Sequence, residues 1–247
     1  MRKKDYKEIK QGISKTELSI LTALKKSSLI VFTLRDIQKL TGISYVNQFA
    51  SNLVKKGFLN RVKNNQYVLP KETNYFSIAT EIFSQSYISL WSALSYYGFT
   101  TQQPKKIQLM TTKKQKVVRL QEMGIDITFC TSDRFFGYVK RESFTIADPE
   151  KCFIDSFAHP QKAGGFDEVL QCFVYAYKKL NKRNLYNHLK RYNSKALNAR
   201  IGYILSELGY SINVPLPKEY VKLDRFGLQN GFRNKEWMVE VNYDIKK

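Results

Sequence analysis

Thr41-Gly42-Ile43-Ser44-Tyr45-Val46-Asn47-Gln48-Phe49-Ala50-Ser51-Asn52-Leu53-Val54-Lys55-Lys56-Gly57 is the stretch on which the reading of this 247-residue chain turns. Val46, Phe49, Ala50, Leu53 and Val54 recur at i, i+3, i+4, i+7 and i+8, the spacing of one apolar helix face. Tyr45, Asn47, Gln48, Ser51, Asn52 and Lys55 fill the remainder, which is polar and free of acids. Gly42 supplies a tight turn before this helix, Ser44 is placed to cap it, and Gly57 is placed to end it. A merely solvated face usually carries Glu beside its Lys. An acid-free face of Asn, Gln, Ser and Lys suits a major groove, because the amides pair bidentately with adenine and Lys reaches guanine or phosphate.

Working outward, Ser14-Lys15-Thr16-Glu17 has the form of a capping box, and Leu18, Leu21 and Leu24 follow at helical spacing. Thr33 and Asp36 open a second helix that runs to about Leu40. Downstream, Phe58 to Lys63 and Gln66 to Leu69 flank the turn pair Asn64-Asn65 and predict a two-stranded wing. The series predicts an α+β protein: an N-terminal winged helix-turn-helix with a basic N-terminal arm over 1–73, then a larger mixed α/β domain over 74–247. Candidate DNA-binding residues are Ser44, Tyr45, Asn47, Gln48, Ser51, Asn52 and Lys55 on the third helix, with Arg61, Lys63, Asn64 and Asn65 on the wing. A winged helix that serves protein contacts alone is the alternative.

Charge supports the same direction. The net charge is +20, and residues 1–73 hold fifteen Lys and Arg against five Asp and Glu, half of the surplus in under a third of the chain. Such a surplus attracts polyanions by counterion release. Apolar runs such as Leu29 to Phe32 are too short to span a bilayer, and Met1-Arg2-Lys3-Lys4 is followed by no apolar run of a signal peptide, so no membrane partner and a cytoplasmic location are expected. Cys130, Cys152 and Cys172 lie far apart with only His159 and His188 to join them, which predicts reduced, buried thiols and no metal.

The rest of the chain carries no nucleophile elbow, glycine-rich phosphate loop or His-Glu-x-x-His helix, so no catalytic residue, cofactor or enzyme activity is expected. Pro70 to Asn74 reads as the boundary. Tyr75 to Phe83 and Tyr87 to Tyr97 read as helices, the second placing Ile88, Trp91, Ala93, Leu94 and Tyr97 in a core. Lys106 to Thr112, Ile125 to Cys130 and Phe144 to Ala147 read as strands. Asp148-Pro149 opens a helix that packs Cys152, Phe153, Ile154 and Phe157 inward. Acids in this stretch suggest the metal site of a nuclease, but capping accounts for Asp148 and Glu150. Helices follow over Phe166 to Lys178, Leu185 to Tyr192 and Ala196 to Leu208, then loop and a terminal strand at Trp237 to Val241. Lys178, Lys179, Lys182, Arg183, Lys190, Arg191, Lys195 and Arg200 form a second basic surface, read as a solvated face, a DNA-backbone contact or a site for an acidic partner.

Tyr87-Ile88-Ser89-Leu90-Trp91-Ser92-Ala93-Leu94, with Tyr97-Gly98-Phe99-Thr100 and Pro104 after it, and Ile146-Ala147-Asp148-Pro149-Glu150-Lys151 followed by Gly164-Gly165, together with the wing ending at Tyr67-Val68-Leu69, resemble the AbiEi-type antitoxin and transcriptional regulator family over roughly residues 14–170. The resemblance implies a repressor that binds inverted repeats in its own promoter through the winged helix, and an antitoxin in a type IV toxin–antitoxin, abortive-infection operon. It also implies self-association on double-stranded DNA and a nucleotidyltransferase-like toxin as partner. A nuclease steered by the winged helix, and a module that binds an acidic protein or RNA, are the other readings.

Overall fold

The computed structural model describes residues 12–70, 74–120, 124–227 and 230–245. The basic arm expected before residue 12 and most of the boundary expected at 70–74 lie outside them. The chain forms a mixed α/β protein of two compact units, one running to Ser84 and including Val118–Ile127, the other comprising Gln85–Val117 and the chain from Thr128 onward.

In the first unit, helix α1 (Lys15–Lys26) begins at the capping box: the Glu17 amide donates to Ser14 Oγ at 3.1 Å and the Ser14 amide to Glu17 Oε2 at 2.7 Å. Strand β1 (Phe32–Thr33) leads into α2 (Leu34–Thr41), where Thr33 and Asp36 make the same reciprocal pair. Gly42 closes α2 with φ 71, and α3 (Val46–Lys55) follows. The cap expected from Ser44 does not form. The helix starts one residue later, Tyr45 holds the capping position without a side-chain bond, and Ser44 sits one position too early to reach the free amides. What sets the start is burial: from Val46 onward, Phe49, Ala50 and Leu53 all enter the core.

At the other end of α3 the Phe58 amide donates to the Leu53 carbonyl and the Gly57 amide to that of Val54, with Gly57 at φ 72. This paired closure needs a left-handed residue, which is why glycine stands there. Strands β2 (Asn60–Lys63) and β3 (Gln66–Val68) complete a sheet of order β1-β3-β2, with a register shift between Arg61 and Lys63. Ile20, Leu24, Phe32, Ile37, Leu53 and Leu59 join the three helices to this sheet in one apolar cluster. Full burial of such a side chain contributes roughly 1.5–3 kcal/mol each. Helix α4 (Tyr75–Ile82), capped by Asn74, also belongs to this unit.

The second unit is built on strands β4 (Ser86–Ile88), β5 (Lys106–Thr111), β8 (Tyr138–Lys140) and β9 (Thr145–Ala147), in the order β5-β4-β9-β8, while β6 (Val118–Leu120) pairs antiparallel with residues 125–127 at the start of β7 (Ile125–Thr131). β4 runs antiparallel to β5 and parallel to β9. The helix expected over Tyr87 to Tyr97 is therefore two elements. Residues 86–88 are drawn into the sheet between two partners, Leu90 takes φ 56 as the chain turns, and α5 spans only Leu90–Tyr96. The other expected strands at 106–112, 125–130 and 144–147 form within a residue or two of their expected ends.

Helix α6 (Pro149–Ala158) starts where Asp148 accepts the Lys151 amide and Pro149 occupies the first turn. Cys152, Phe153, Ile154 and Phe157 are buried. Helices α7 (Phe166–Ala176), α8 (Lys182–Tyr192) and α9 (Lys195–Glu207) follow, and a small sheet of order β10-β12-β11 closes the chain, with β10 Val221–Lys222, β11 Phe232–Asn234 and β12 Val239–Val241. Among the described residues no helix is long and apolar enough to cross a membrane.

Candidate nucleic-acid interface

The side chains singled out on α3 emerge on the outer face of the first unit because its apolar positions are held inward. Tyr45, Asn47, Gln48, Ser51 and Lys55 are exposed, Asn52 is half-buried, and Ser44 is exposed just before the helix. Tyr45 is 60% exposed, and its ring meets Phe49 edge-on at 6.5 Å between centroids, which fixes the entry to the helix without consuming the hydroxyl. Lys56, the next residue along, is not part of this face in the same sense. Its Nζ lies 2.7 Å from Glu17 Oε1 and ties the end of α3 to the start of α1. That ammonium, with the Ser14 amide and hydroxyl, holds the Glu17 carboxyl below its usual range.

On the β2–β3 hairpin Arg61, Lys63, Asn64 and Asn65 are all exposed, while Val62 and Tyr67 point into the unit. Asn65 takes φ 58, a left-handed conformation that asparagine tolerates better than most residues. Lys63 Nζ lies 4.3 Å from the centroid of the Phe83 ring. Such a contact orients an ammonium but leaves its full charge in place. Residues 12–70 carry nine Lys and Arg and two acids, Glu17 and Asp36, and both acids are engaged, Asp36 in the cap of α2 and Glu17 in the cap of α1 and the pair with Lys56. The exposed face thus presents amide, hydroxyl and cationic donors with no carboxylate of its own. Chemically it can donate to phosphate oxygens and to base edges.

The second unit holds a group of ionisable side chains that the sequence patterns did not reveal. Lys151 and Asp155 are both fully buried on α6 and form an i,i+4 ion pair. Asp155 Oδ2 accepts from Tyr87 at 3.1 Å and from Ser89 at 2.9 Å, and Lys151 Nζ donates to Tyr87 at 2.9 Å. Burial pushes the Asp155 carboxyl up, against the pull of Lys151, and burial with the nearby Asp155 charge pushes the Tyr87 phenol far above its usual range. All four groups are sealed from solvent, and the network fastens β4 to α6. The only advance signal was the i,i+4 spacing of Lys151 and Asp155, which ordinarily marks a solvated pair.

Asp148 Oδ2 lies 2.7 Å from His188 Nε2, and Glu150 Oε1 accepts the Asn181 amide, so the two acids that invited comparison with a nuclease are engaged structurally. Cys130, Cys152 and Cys172 are free and buried, and burial raises each thiol, that of Cys172 to about 11. Among the described residues no group of three or more His, Cys, Asp or Glu is placed to hold a metal ion.

Comparison with known proteins sharpens part of this and corrects another part. The family model for the competence protein CoiA, C-terminal domain, matches residues 6–83. No curated protein matches the chain. The crystal structure of the RV2827C protein from Mycobacterium tuberculosis is similar in fold, with a TM-score of 0.64 over 92% of this chain and 91% of that one, at 11% sequence identity. The family match is to a competence protein, and the AbiEi-type resemblance is withdrawn with the repressor and antitoxin function it implied. The residues that carried it are fold-building features: Asp148-Pro149 is a helix start, Gly98 a helix end, and Gly164 a close approach to the Trp91 ring. Short patterns of this kind are demanded by local geometry and identify no function.

Proposed function

We propose that this chain is a competence-related protein that binds duplex DNA, and that residues 14–69 do so as a winged helix-turn-helix. In this reading α2, the Gly42 turn and α3 form the helix-turn-helix, α3 enters the major groove, and the β2–β3 hairpin is the wing. Gln48 and Asn52 contact base edges, with Asn47, Ser51 and Tyr45 beside them. Lys55, Arg61 and Lys63 contact phosphates, and Asn64 and Asn65 hold the wing tip against the backbone. The observation that carries the reading is the exposed, carboxylate-free face of α3 beside an exposed basic hairpin. The competence-protein match over 6–83 supports the competence-related part of the reading. The protein acts here as a binding protein, with no catalytic group assigned.

The test is fluorescence anisotropy of a labelled 20-base-pair duplex with the full chain. Three phosphate contacts give a slope of log affinity on log salt near −2.7, so affinity falls by about 40-fold or more between 50 and 200 mM salt. Absence of binding at 50 mM, or binding indifferent to salt, overturns the reading.

A further inference from the structure

Residues 169–206 contain eight Lys and Arg and no Asp or Glu. Helix α8 supplies the centre of this run. Leu185, Leu189 and Tyr192 turn inward, and Lys182, Arg183, Lys190 and Arg191 are left exposed, with Lys178, Lys179 and Lys195 exposed on either side. The turn from α8 to α9 is tight, with Asn193 at φ 53 and Ser194 capping α9 through the Leu197 amide, so the flanking cations are carried on a fixed frame.

Four of these seven cations lie over aromatic rings. Lys182 Nζ lies 3.5 Å from the centroid of Tyr210, Lys179 Nζ 4.6 Å from that of Tyr175, Lys178 Nζ 5.9 Å from that of Tyr177, and the Arg191 guanidinium 4.4 Å from that of Phe136. Among the described residues none of the exposed seven is in a salt bridge. Of the acids near α8, Asp148 and Glu150 are engaged by His188 and by the Asn181 amide, Asp155 by Lys151 and Asp133 by Arg134. A ring orients a cation without neutralising it. The face is therefore ordered and keeps its full positive charge.

We propose that this α8 face is a second DNA-binding surface, independent of α3, that contacts the phosphate backbone of a duplex. Single-strand binding uses open aromatic faces on which bases stack. Here Tyr175, Tyr177, Tyr210 and Phe136 each already carry a cation over the ring, so the arrangement favours a charged backbone over stacked bases.

The test uses the full chain and the triple variant Arg183→Ala/Lys190→Ala/Lys195→Ala, three exposed residues that hold no ring in place. Affinity for a 20-base-pair DNA duplex is measured from 50 to 200 mM salt, beside a single-stranded RNA of equal length and a poly-glutamate peptide. The proposal predicts that the salt slope for duplex DNA falls by up to about 2.7 units, near 0.9 for each lost contact. The matching Lys190→Arg variant keeps the parent slope. A parent slope in the triple variant overturns the proposal, as does a loss confined to the RNA or the peptide. A fourth protein, Gln48→Ala/Asn52→Ala/Lys63→Ala, separates the two surfaces. If it binds as the parent does while the triple variant fails, the α3 reading falls and the α8 surface stands.

Discussion

Replacing Asp155 with Asn tests the internal logic of the second unit. The change is isosteric, so it opens no cavity, and the retained amide oxygen can still accept from Tyr87 or Ser89. What it removes is the charge that faces Lys151, and Lys151 is fully buried with no second carboxylate in a salt bridge to it among the described residues. Removing one partner of a buried pair costs about 3–5 kcal/mol, because the remaining charge is left uncompensated. Both tryptophans, Trp91 and Trp237, are buried in this same unit, so their fluorescence reports its unfolding directly. With a urea slope of about 2 kcal/mol/M, the midpoint should drop by roughly 2 M. The double variant Lys151→Met/Asp155→Asn removes the stranded charge and should regain at least half of that loss. A single variant within about 0.5 M of the parent, or a double variant no better than the single, refutes the network as a pair whose members depend on each other.

Two further changes probe the first unit. Glu17 has its folded carboxyl below the ordinary value of 4.5 through Lys56 and Ser14, so its contribution is present above the unfolded value and disappears as pH falls through the folded one. Glu17→Gln should lower the amide-exchange protection of α1 by about 1 kcal/mol at pH 7, in keeping with a pair whose Lys56 side chain is 42% exposed, and the difference from the parent should shrink towards pH 3. A gap that persists at pH 3 contradicts the assignment. Gly57→Ala should destabilise the α3 end by about 1–2 kcal/mol, purely through its φ of 72, since a Cβ there meets nothing within 4 Å. Gly57→Asn should lose less, and equal losses in the protection of the 53–58 amides would show that the left-handed closure is not what glycine provides.

The first unit was legible because its signals are local. The Ser14–Glu17 and Thr33–Asp36 pairs, Gly42, the i, i+3, i+4 run of α3 and Gly57 each specify geometry within a few residues, and the structure keeps them. Ser44 shows the limit of that reasoning, since the start of α3 was set one residue later by what Val46 had to bury. β4 was misread for a non-local reason: Tyr87 and Ile88 look helical from their neighbours, but their backbone pairs with β5 and β9, strands about twenty and nearly sixty residues further on. Short strands such as β1, β8 and β10 have too few residues to show a period at all. Lys151 was hidden for a chemical reason. A lysine in sequence is taken as solvated, and its burial depends on Asp155, Tyr87 and Phe136 meeting it in three dimensions. The α3 face was readable as a pattern of donors, whereas the ring-held cations of α8 needed Tyr210 and Phe136, which are distant in sequence from the lysine and arginine they carry.

The central claim, that α3 reads bases while the hairpin holds phosphates, is tested most directly by measuring three full-length proteins on one duplex obtained by binding selection and on its scrambled counterpart. Gln48→Ala/Asn52→Ala should weaken the selected duplex by about 10-fold or more for each lost bidentate contact and leave the scrambled one nearly unchanged. Arg61→Ala/Lys63→Ala should weaken both alike and reduce the salt slope by about 1.8 units. Equal losses on the two duplexes in both variants, or no loss in either, would contradict it.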